Sequence, residues 1–238
     1  GRMLHPIAGD LEFQRYSGNE DDINYSVSRA GLNNRLIDAA ERAGATIHFG
    51  ARCERFDPAT GTLHLVNPDG GGATYQAERL IAADGAGSPT RRALAKQPGF
   101  ETSEQLLGHR YQEIDIPAAA NGGYAMAAEA LHIWPRGGYM LIALPNPGGD
   151  FTATLFMAED EAAGTPSFSA WRTPGAAAAF VAEQFPDVPP LVPDLADQLD
   201  AHPLGILGNV RCEPWHIEDR VLLIGDAAHA IVPFHGQG

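Results

Sequence analysis

The segment that most constrains the fold is a short apolar run that ends in glycine and aspartate. Val221 to Ile224 predicts a buried strand, Gly225 permits a close backbone turn, and Asp226 stands where a helix begins. A carboxylate at the end of a buried strand is unfavourable unless it is hydrogen-bonded. A sugar hydroxyl would satisfy it, and so would the free N–H groups of the helix. The string alone therefore fits both a capped helix and a ligand site.

A second motif of the same kind lies earlier in the chain. The apolar run Leu80 to Ala83 predicts a strand, and Asp84-Gly-Ala-Gly-Ser-Pro-Thr-Arg91 follows it directly. After the first motif, Pro233 and the glycines at 236 and 238 leave bare backbone against which a flat ring can lie. Both motifs thus combine a carboxylate at a strand end with a glycine-containing turn.

Together the two motifs resemble the signatures of the aromatic-ring hydroxylases, the FAD-dependent monooxygenases built like p-hydroxybenzoate hydroxylase. In that family the GD aspartate binds the ribityl chain of FAD, and the P-x-x-G-x-G loop lies along the isoalloxazine. The second motif matches the family signature D-G-x-x-S-x-x-R. Further strings narrow the resemblance to the kynurenine 3-monooxygenase subfamily: Arg2–His5, Ser26–Asn33, Leu131–Arg136, Met140–Asn146, Phe151–Phe156 and Ala230–Phe234.

The resemblance implies a mixed α/β (α+β) fold of two domains. Residues 1–107 and 206–238 are expected to form a partial FAD/NAD(P)-binding, Rossmann-like domain, with an inserted substrate-binding domain at 108–205 that is a mostly antiparallel β-sheet. Such domains usually begin with a strand that runs into G-x-G-x-x-G, whose N–H groups hold the pyrophosphate. The sequence contains no such string. We therefore expect an internal segment of a longer protein, lacking that end.

The periodicity of the chain agrees with this layout. Apolar residues at helical spacing predict a helix from Ala30 to Ala43, flanked by strands at Ile23–Ser28 and Thr46–Phe49. After about Leu107, several runs of β-formers follow one another without intervening helices. This pattern predicts an antiparallel sheet.

The resemblance also assigns residues to the substrate. Arg2 and Tyr16 have the spacing of the arginine and tyrosine that hold the substrate carboxylate, and a guanidinium with a phenol suits that group. The alternatives are a frayed terminal arginine and a surface aromatic. The matching apolar wall around the substrate ring consists of Leu131, Ile142, Leu144, Phe156, Pro233 and Phe234. An ordinary sheet core predicts the same residue types.

For the cofactor, the resemblance implies FAD contacts at Arg29, Cys53, Asp84, Asp226, Pro233, Gly236, Gln237 and Gly238. Cys53 stands where relatives have a leucine, so we expect contact through its backbone. Pro89 replaces a threonine near the flavin, and a side-chain hydrogen bond is lost there. No residue is nominated as a catalytic acid or base, because the cofactor performs the difficult step.

The implied reaction is the hydroxylation of L-kynurenine to 3-hydroxykynurenine, with NADPH and O₂, through a flavin C4a-hydroperoxide. The protein would orient the aromatic amino-acid substrate and exclude water. Two alternatives stay open: a flavin monooxygenase of another aromatic acid, and a catalytically inert segment that does not retain FAD.

Composition excludes several other classes. A formal net charge of −14, from 16 Lys and Arg against 30 Asp and Glu, disfavours nucleic-acid partners. No run approaches the roughly 20 apolar residues of a membrane span, and we expect a cytoplasmic protein. The spacing of His229 and His235 fits no helical metal pair, so no metal site is expected. The sequence leaves the oligomeric state open.

Overall fold

The computed structural model describes residues 1–19, 21–161 and 164–233. The chain divides into two compact units. The large-sheet unit comprises Gly1–Ala40 and Gly108–Ile206, and the small-sheet unit comprises Glu41–Leu107 and Leu207–Gly238. Residues 1–40 thus pack with the large sheet, whereas their assignment to a FAD-binding domain stays a prediction.

Within the described residues the strands are β1 (Arg2–Leu4), β2 (Glu12–Gln14), β3 (Arg52–Asp57), β4 (Thr62–Val66), β5 (Gly72–Gln76), β6 (Leu80–Ala82), β7 (Glu101–Ile116), β8 (Leu131–Pro135), β9 (Met140–Pro145), β10 (Phe151–Ala158), β11 (Gly205–Glu213), β12 (His216–Ile217) and β13 (Val221–Leu223). The α-helices are α1 (Arg29–Arg42), α2 (Pro89–Leu94), α3 (Ala176–Gln184), α4 (Leu195–Ala201) and α5 (Asp226–His229). Short 3-10 helices cover Phe168–Ala170 and Pro189–Leu191. In this part of the chain, no helix is long and apolar enough to cross a membrane.

The large sheet has seven strands in the order β11-β7-β10-β9-β8-β1-β2. The strands β7, β10, β9 and β8 are antiparallel neighbours, whereas β1 runs parallel to β8 and antiparallel to β2. The predicted mixed α/β class with a mostly antiparallel sheet is confirmed.

One face of the large sheet carries the core of its unit. Alternate residues of β8–β10 are fully buried there because α3, α4 and the adjoining turns cover them. The buried cluster includes Ile114, Trp134, Leu141, Ala143, Phe151, Ala153, Leu155, Met157, Val181, Phe185, Val188, Leu195 and Leu199. Burial of each large side chain contributes roughly 1.5–3 kcal/mol, so this face is the main source of stability in the unit.

The small-sheet unit contains two three-stranded sheets. The strands β3, β4 and β5 form an antiparallel meander. The second sheet has the order β12-β13-β6, and β13 is parallel to β6. The core of the small-sheet unit includes the buried side chains of Phe56, Leu94, Phe100 and Leu223. This parallel pair is the Rossmann-like element of the chain.

Two predicted strands are wrong. Residues 23–28 and 46–49 have no strand conformation in the structure, and most of them are exposed. A strand needs a neighbour that accepts its hydrogen bonds, and no described strand lies beside either segment. The helix between them is present as α1, but its apolar positions Leu32 and Leu36 are 42% and 59% exposed.

Candidate functional site

The two sequence motifs meet at one edge of the parallel pair. Leu223 of β13 is in register with Ala82 of β6, and the N–H of Ile224 donates to the carbonyl of Ala82 at 3.0 Å. Because both strands run in the same direction, Asp84 and Asp226 follow at the same end of the sheet. We call this the Asp84–Asp226 edge. Open α/β sheets bind ligands outside the carboxyl ends of their parallel strands, and the Asp84–Asp226 edge is such an end.

Asp84 is only half satisfied by the protein. Its Oδ2 accepts a hydrogen bond from the N–H of Thr90, at the start of α2, with a length of 3.1 Å. Its Oδ1 is buried and has no hydrogen-bond partner among the described residues. A buried carboxylate oxygen without a donor is unfavourable by a few kcal/mol. The site therefore lacks a donor that a ligand hydroxyl would supply.

Asp226 differs from Asp84 in being exposed. It is the first residue of α5, and the N-cap residue Gly225 provides no side-chain cap. Within residues 1–19, 21–161 and 164–233, the Asp226 carboxylate makes no hydrogen bond. The capped-helix interpretation of this aspartate therefore has no support from a described contact.

Two glycines shape the backbone beside the carboxylates. Gly225 has φ 57° and ψ −140°, and Gly85 has φ 78°, values that L side chains rarely adopt. A Cβ atom at either position would meet nothing within 4 Å. The glycines are thus required by backbone conformation, and open space lies beside them.

Arg91 connects the two chain segments that carry Asp84 and Asp226. Its side chain is completely buried, and its Nη1 donates to the carbonyl of Ala227 in α5 at 2.8 Å. Its Nη2 donates to the carbonyl of Ala86 and, at 2.6 Å, to Glu104. Arg91 therefore links the turn after Asp84 to the helix that Asp226 begins. The motif contains this arginine, but its bond to α5 was not predicted.

Cys53 lies close enough to Asp84 for the two side chains to interact electrostatically. Burial raises the pKa of the Cys53 thiol from its ordinary value, and the negative charge of Asp84 raises it further. Both Cys53 and Cys212 are free cysteines. The thiol is thus protonated at neutral pH. Whether its backbone contacts FAD stays a prediction.

Four predicted substrate residues share one face of the large sheet with Arg2. Because side chains alternate in β8–β10, Leu131, Ile142, Leu144 and Phe156 lie opposite the core face. Arg2 is the register partner of Leu131, so it lies on the same face. The face is partly exposed, and it combines apolar side chains with one cation. Their role in substrate binding stays a prediction.

The other predicted contacts are less well placed. Tyr16 is 44% exposed just beyond β2, and no described contact joins it to Arg2. Arg29 is the exposed first residue of α1, and Pro233 is exposed as well. Phe234, Gly236, Gln237 and Gly238 lie outside the described residues.

The histidine at 229 packs against an aromatic ring. The ring of His229 lies 4.8 Å from that of Trp215, centre to centre. Over the described ranges, no group of three or more metal-binding side chains is found.

Sequence reasoning missed a buried polar chain in the large-sheet unit. His5 Nδ1 lies 2.8 Å from Asp187 Oδ2, and His5 Nε2 lies 2.9 Å from His132 Nδ1. His132 Nε2 donates to the carbonyl of Ala127 at 2.9 Å, and Trp134 Nε1 donates to both oxygens of Asp187. These bonds fix the end of β1 against β8. His5 follows β1 directly, and no local pattern in the sequence signalled its contacts with Asp187 and His132.

Known proteins resemble this chain over its whole length. A family model described as FAD binding domain matches residues 24–238. Kynurenine 3-monooxygenase of Xanthomonas axonopodis pv. citri (strain 306) is 45% identical over 249 residues, which cover 100% of this chain and 52% of the relative. The enzyme of Xanthomonas campestris pv. campestris (strain B100) is 44% identical with the same coverage. The chain thus spans about half the length of these curated relatives.

Solved structures show the same fold. 2-Methyl-3-hydroxypyridine-5-carboxylic acid oxygenase superposes with a TM-score of 0.64 at 21% identity, over 87% of this chain and 52% of that protein. Klebsiella pneumoniae HpxO, complexed with FAD and uric acid, superposes with a TM-score of 0.59 at 22% identity, over 89% of this chain and 51% of that protein.

Proposed function

Since the chain belongs to the FAD binding domain family, we propose that it holds FAD at the Asp84–Asp226 edge. The observation that carries this proposal is the buried, unpartnered Oδ1 of Asp84 at the end of a parallel strand pair. A hydroxyl-rich ligand offers the missing donor, and the exposed carboxylate of Asp226 is available to a second hydroxyl. The residues present therefore fit the cofactor.

The further FAD contacts are proposed on the resemblance. They are Arg29, the backbone of Cys53, Pro233, and the loop residues Gly236, Gln237 and Gly238. When bound, FAD supplies the redox chemistry that uses NADPH and O₂. The chain itself supplies hydrogen-bond acceptors and a shaped backbone, and Arg91 keeps the two carboxylates in fixed relation.

We further propose that the whole protein hydroxylates L-kynurenine with NADPH and O₂. The support is the name of its relatives, at 45% identity, together with the apolar face that carries Arg2. The Arg2 guanidinium would bind the substrate carboxylate with charge-assisted hydrogen bonds. Leu131, Ile142 and Phe156 would contact the ring and exclude water from it. No side chain is needed as a general base in this assignment.

The experiment measures NADPH oxidation and product formation by the whole protein, across a panel of aromatic acids. L-Kynurenine is expected to stimulate oxidation most strongly and to yield the hydroxylated product. Arg2→Ala should raise KM by about tenfold or more, since a charged hydrogen bond contributes about 1.5–3 kcal/mol. If another aromatic acid stimulates NADPH oxidation more strongly, that acid is the substrate and L-kynurenine is not. If the protein does not retain FAD, the alternative of a catalytically inert protein is correct.

A further inference from the structure

We propose that Gln14 is a positioning residue that orients Arg2 and keeps its charge available for the carboxylate of the substrate. This inference rests on the proposed function of Arg2, and it adds a residue that the resemblance does not assign. Gln14 belongs to β2, an edge strand of the large sheet.

The backbone places the two side chains opposite one another. Arg2 and Gln14 are register partners in the antiparallel pair of β1 and β2, so they lie on the same face. The Nε of Arg2 donates to Oε1 of Gln14 at 3.0 Å. Over the part of the chain that the structure describes, neither terminal nitrogen of Arg2 makes a hydrogen bond. The guanidinium of Arg2 is therefore fixed through its Nε–H. The four N–H groups of its two terminal nitrogens are free to bind a ligand.

This arrangement restricts how a carboxylate can bind. A guanidinium binds a carboxylate in two bidentate ways, either through both terminal nitrogens or through Nε and one of them. Gln14 occupies Nε, so only the two terminal nitrogens remain for a bidentate ligand. The residue thus sets the direction from which a carboxylate approaches Arg2.

The amide of Gln14 also separates Arg2 from a neighbouring acid. Its Nε2 donates to Oε1 of Glu12 at 2.8 Å. Arginine has only donors and an ionised glutamate has only acceptors, so the amide between them must turn its oxygen to Arg2 and its nitrogen to Glu12. Among the described ion pairs, none involves Arg2, whereas Arg91 and Arg110 each contact a glutamate at 2.6 Å. The neutral amide therefore leaves the cation without an internal counter-ion.

Two substitutions test different parts of this role. Gln14→Met keeps the length of the side chain and removes the acceptor, so the guanidinium loses its orientation. Gln14→Glu places a carboxylate beside Nε, which gives Arg2 a permanent internal partner that competes with the ligand. Gln105→Met makes the same change at an exposed strand residue of the small-sheet unit and serves as the control.

The measurement is NMR of the 238-residue chain with ¹⁵N-labelled arginine. The Nε–H signal of Arg2 is assigned by its loss in Arg2→Lys. Its exchange with water should accelerate about tenfold in Gln14→Met, the factor for a hydrogen bond of about 1.4 kcal/mol, and stay unchanged in Gln105→Met. Titration with benzoate and with L-kynurenine should move the Arg2 signals of the wild-type chain. The apparent affinity should fall by about tenfold or more in Gln14→Glu.

The outcomes separate the inference from the proposed function. Equal Nε–H exchange in the wild-type chain and Gln14→Met would overturn the role of Gln14, even if both carboxylates bind at Arg2. If exchange depends on Gln14 but neither carboxylate moves the Arg2 signals, the proposed function of Arg2 fails. Gln14 would then only stabilise the pairing of β1 with β2, and the proposal that it positions Arg2 for a carboxylate would be wrong.

Discussion

Replacement of Arg91 by methionine tests whether the Asp84–Asp226 edge is built as described. The Arg91 side chain is completely buried and donates to the carbonyls of Ala86 and Ala227 and to Glu104. Methionine fills a similar length without any donor. The substitution therefore removes the link between the turn after Asp84 and α5, while the apolar packing is largely kept.

The expected loss of unfolding free energy follows from the polar groups that lose their partner when Arg91 is replaced. The carbonyl of Ala227 is buried, and the loss of its donor costs about 1–3 kcal/mol. Ala86 is exposed, so water replaces part of the donor that its carbonyl loses. The Glu104 side chain is 53% exposed, so water screens that ion pair and its loss adds only about 0–1 kcal/mol. Removing the Nε of Arg91, which is buried without a partner, offsets part of this cost. We expect a total loss of about 2–4 kcal/mol, most of it from the buried carbonyl of Ala227 that loses its donor.

Urea unfolding of the chain, followed by circular dichroism, measures this loss. Arg91→Lys is the matched variant, since it keeps the charge but has fewer donors in a different geometry. It should lie between the wild-type chain and Arg91→Met. A loss below about 1 kcal/mol for Arg91→Met, the scale of an exposed ion pair, would refute the reasoning. The bonds of Arg91 would then not hold α5 in place.

Further predictions concern a thiol and the buried polar chain. Because burial and Asp84 raise the pKa of Cys53, the midpoint of its alkylation by iodoacetamide against pH should lie above the ordinary pKa of a cysteine. Asp84→Asn removes a negative charge and should lower that pKa, so alkylation at a fixed pH becomes faster by mass spectrometry; no change would contradict the proximity. Asp187→Asn keeps an acceptor for Trp134 and a polar partner for His5, so it should cost less than Asp187→Ala, for which we expect about 2–4 kcal/mol by thermal unfolding. Equal losses would contradict the claim that a neutral acceptor at 187 preserves these hydrogen bonds.

The Asp84–Asp226 edge could be predicted because each of its two motifs is a short continuous stretch of sequence. Each motif consists of an apolar run followed by aspartate and glycine, and parallel strands place such ends side by side. The mostly antiparallel sheet was also predictable, since β8, β9 and β10 are separated only by short turns. The alternation within these strands then puts Leu131, Ile142 and Phe156 on one face.

The errors and omissions arose from long-range pairing. Residues 23–28 have the composition of a strand, but composition does not specify which strand would pair with them. The three-residue strands β1 and β2 are too short to show a period. His5 and Asp187 are 182 positions apart, so their contact depends on the whole sheet and its covering helices. The bond between Arg2 and Gln14 likewise depends on a register that no local pattern specifies.

Titration of the chain with FAD, with Asp226→Ala as the variant, tests the central claim most directly. Asp226 makes no hydrogen bond within the described residues, so the variant should unfold like the wild-type chain and report binding alone. The wild-type chain is predicted to quench flavin fluorescence saturably, and Asp226→Ala should bind about tenfold more weakly. If the wild-type chain does not bind FAD, or if both proteins bind it equally well, the Asp84–Asp226 edge is not a flavin site.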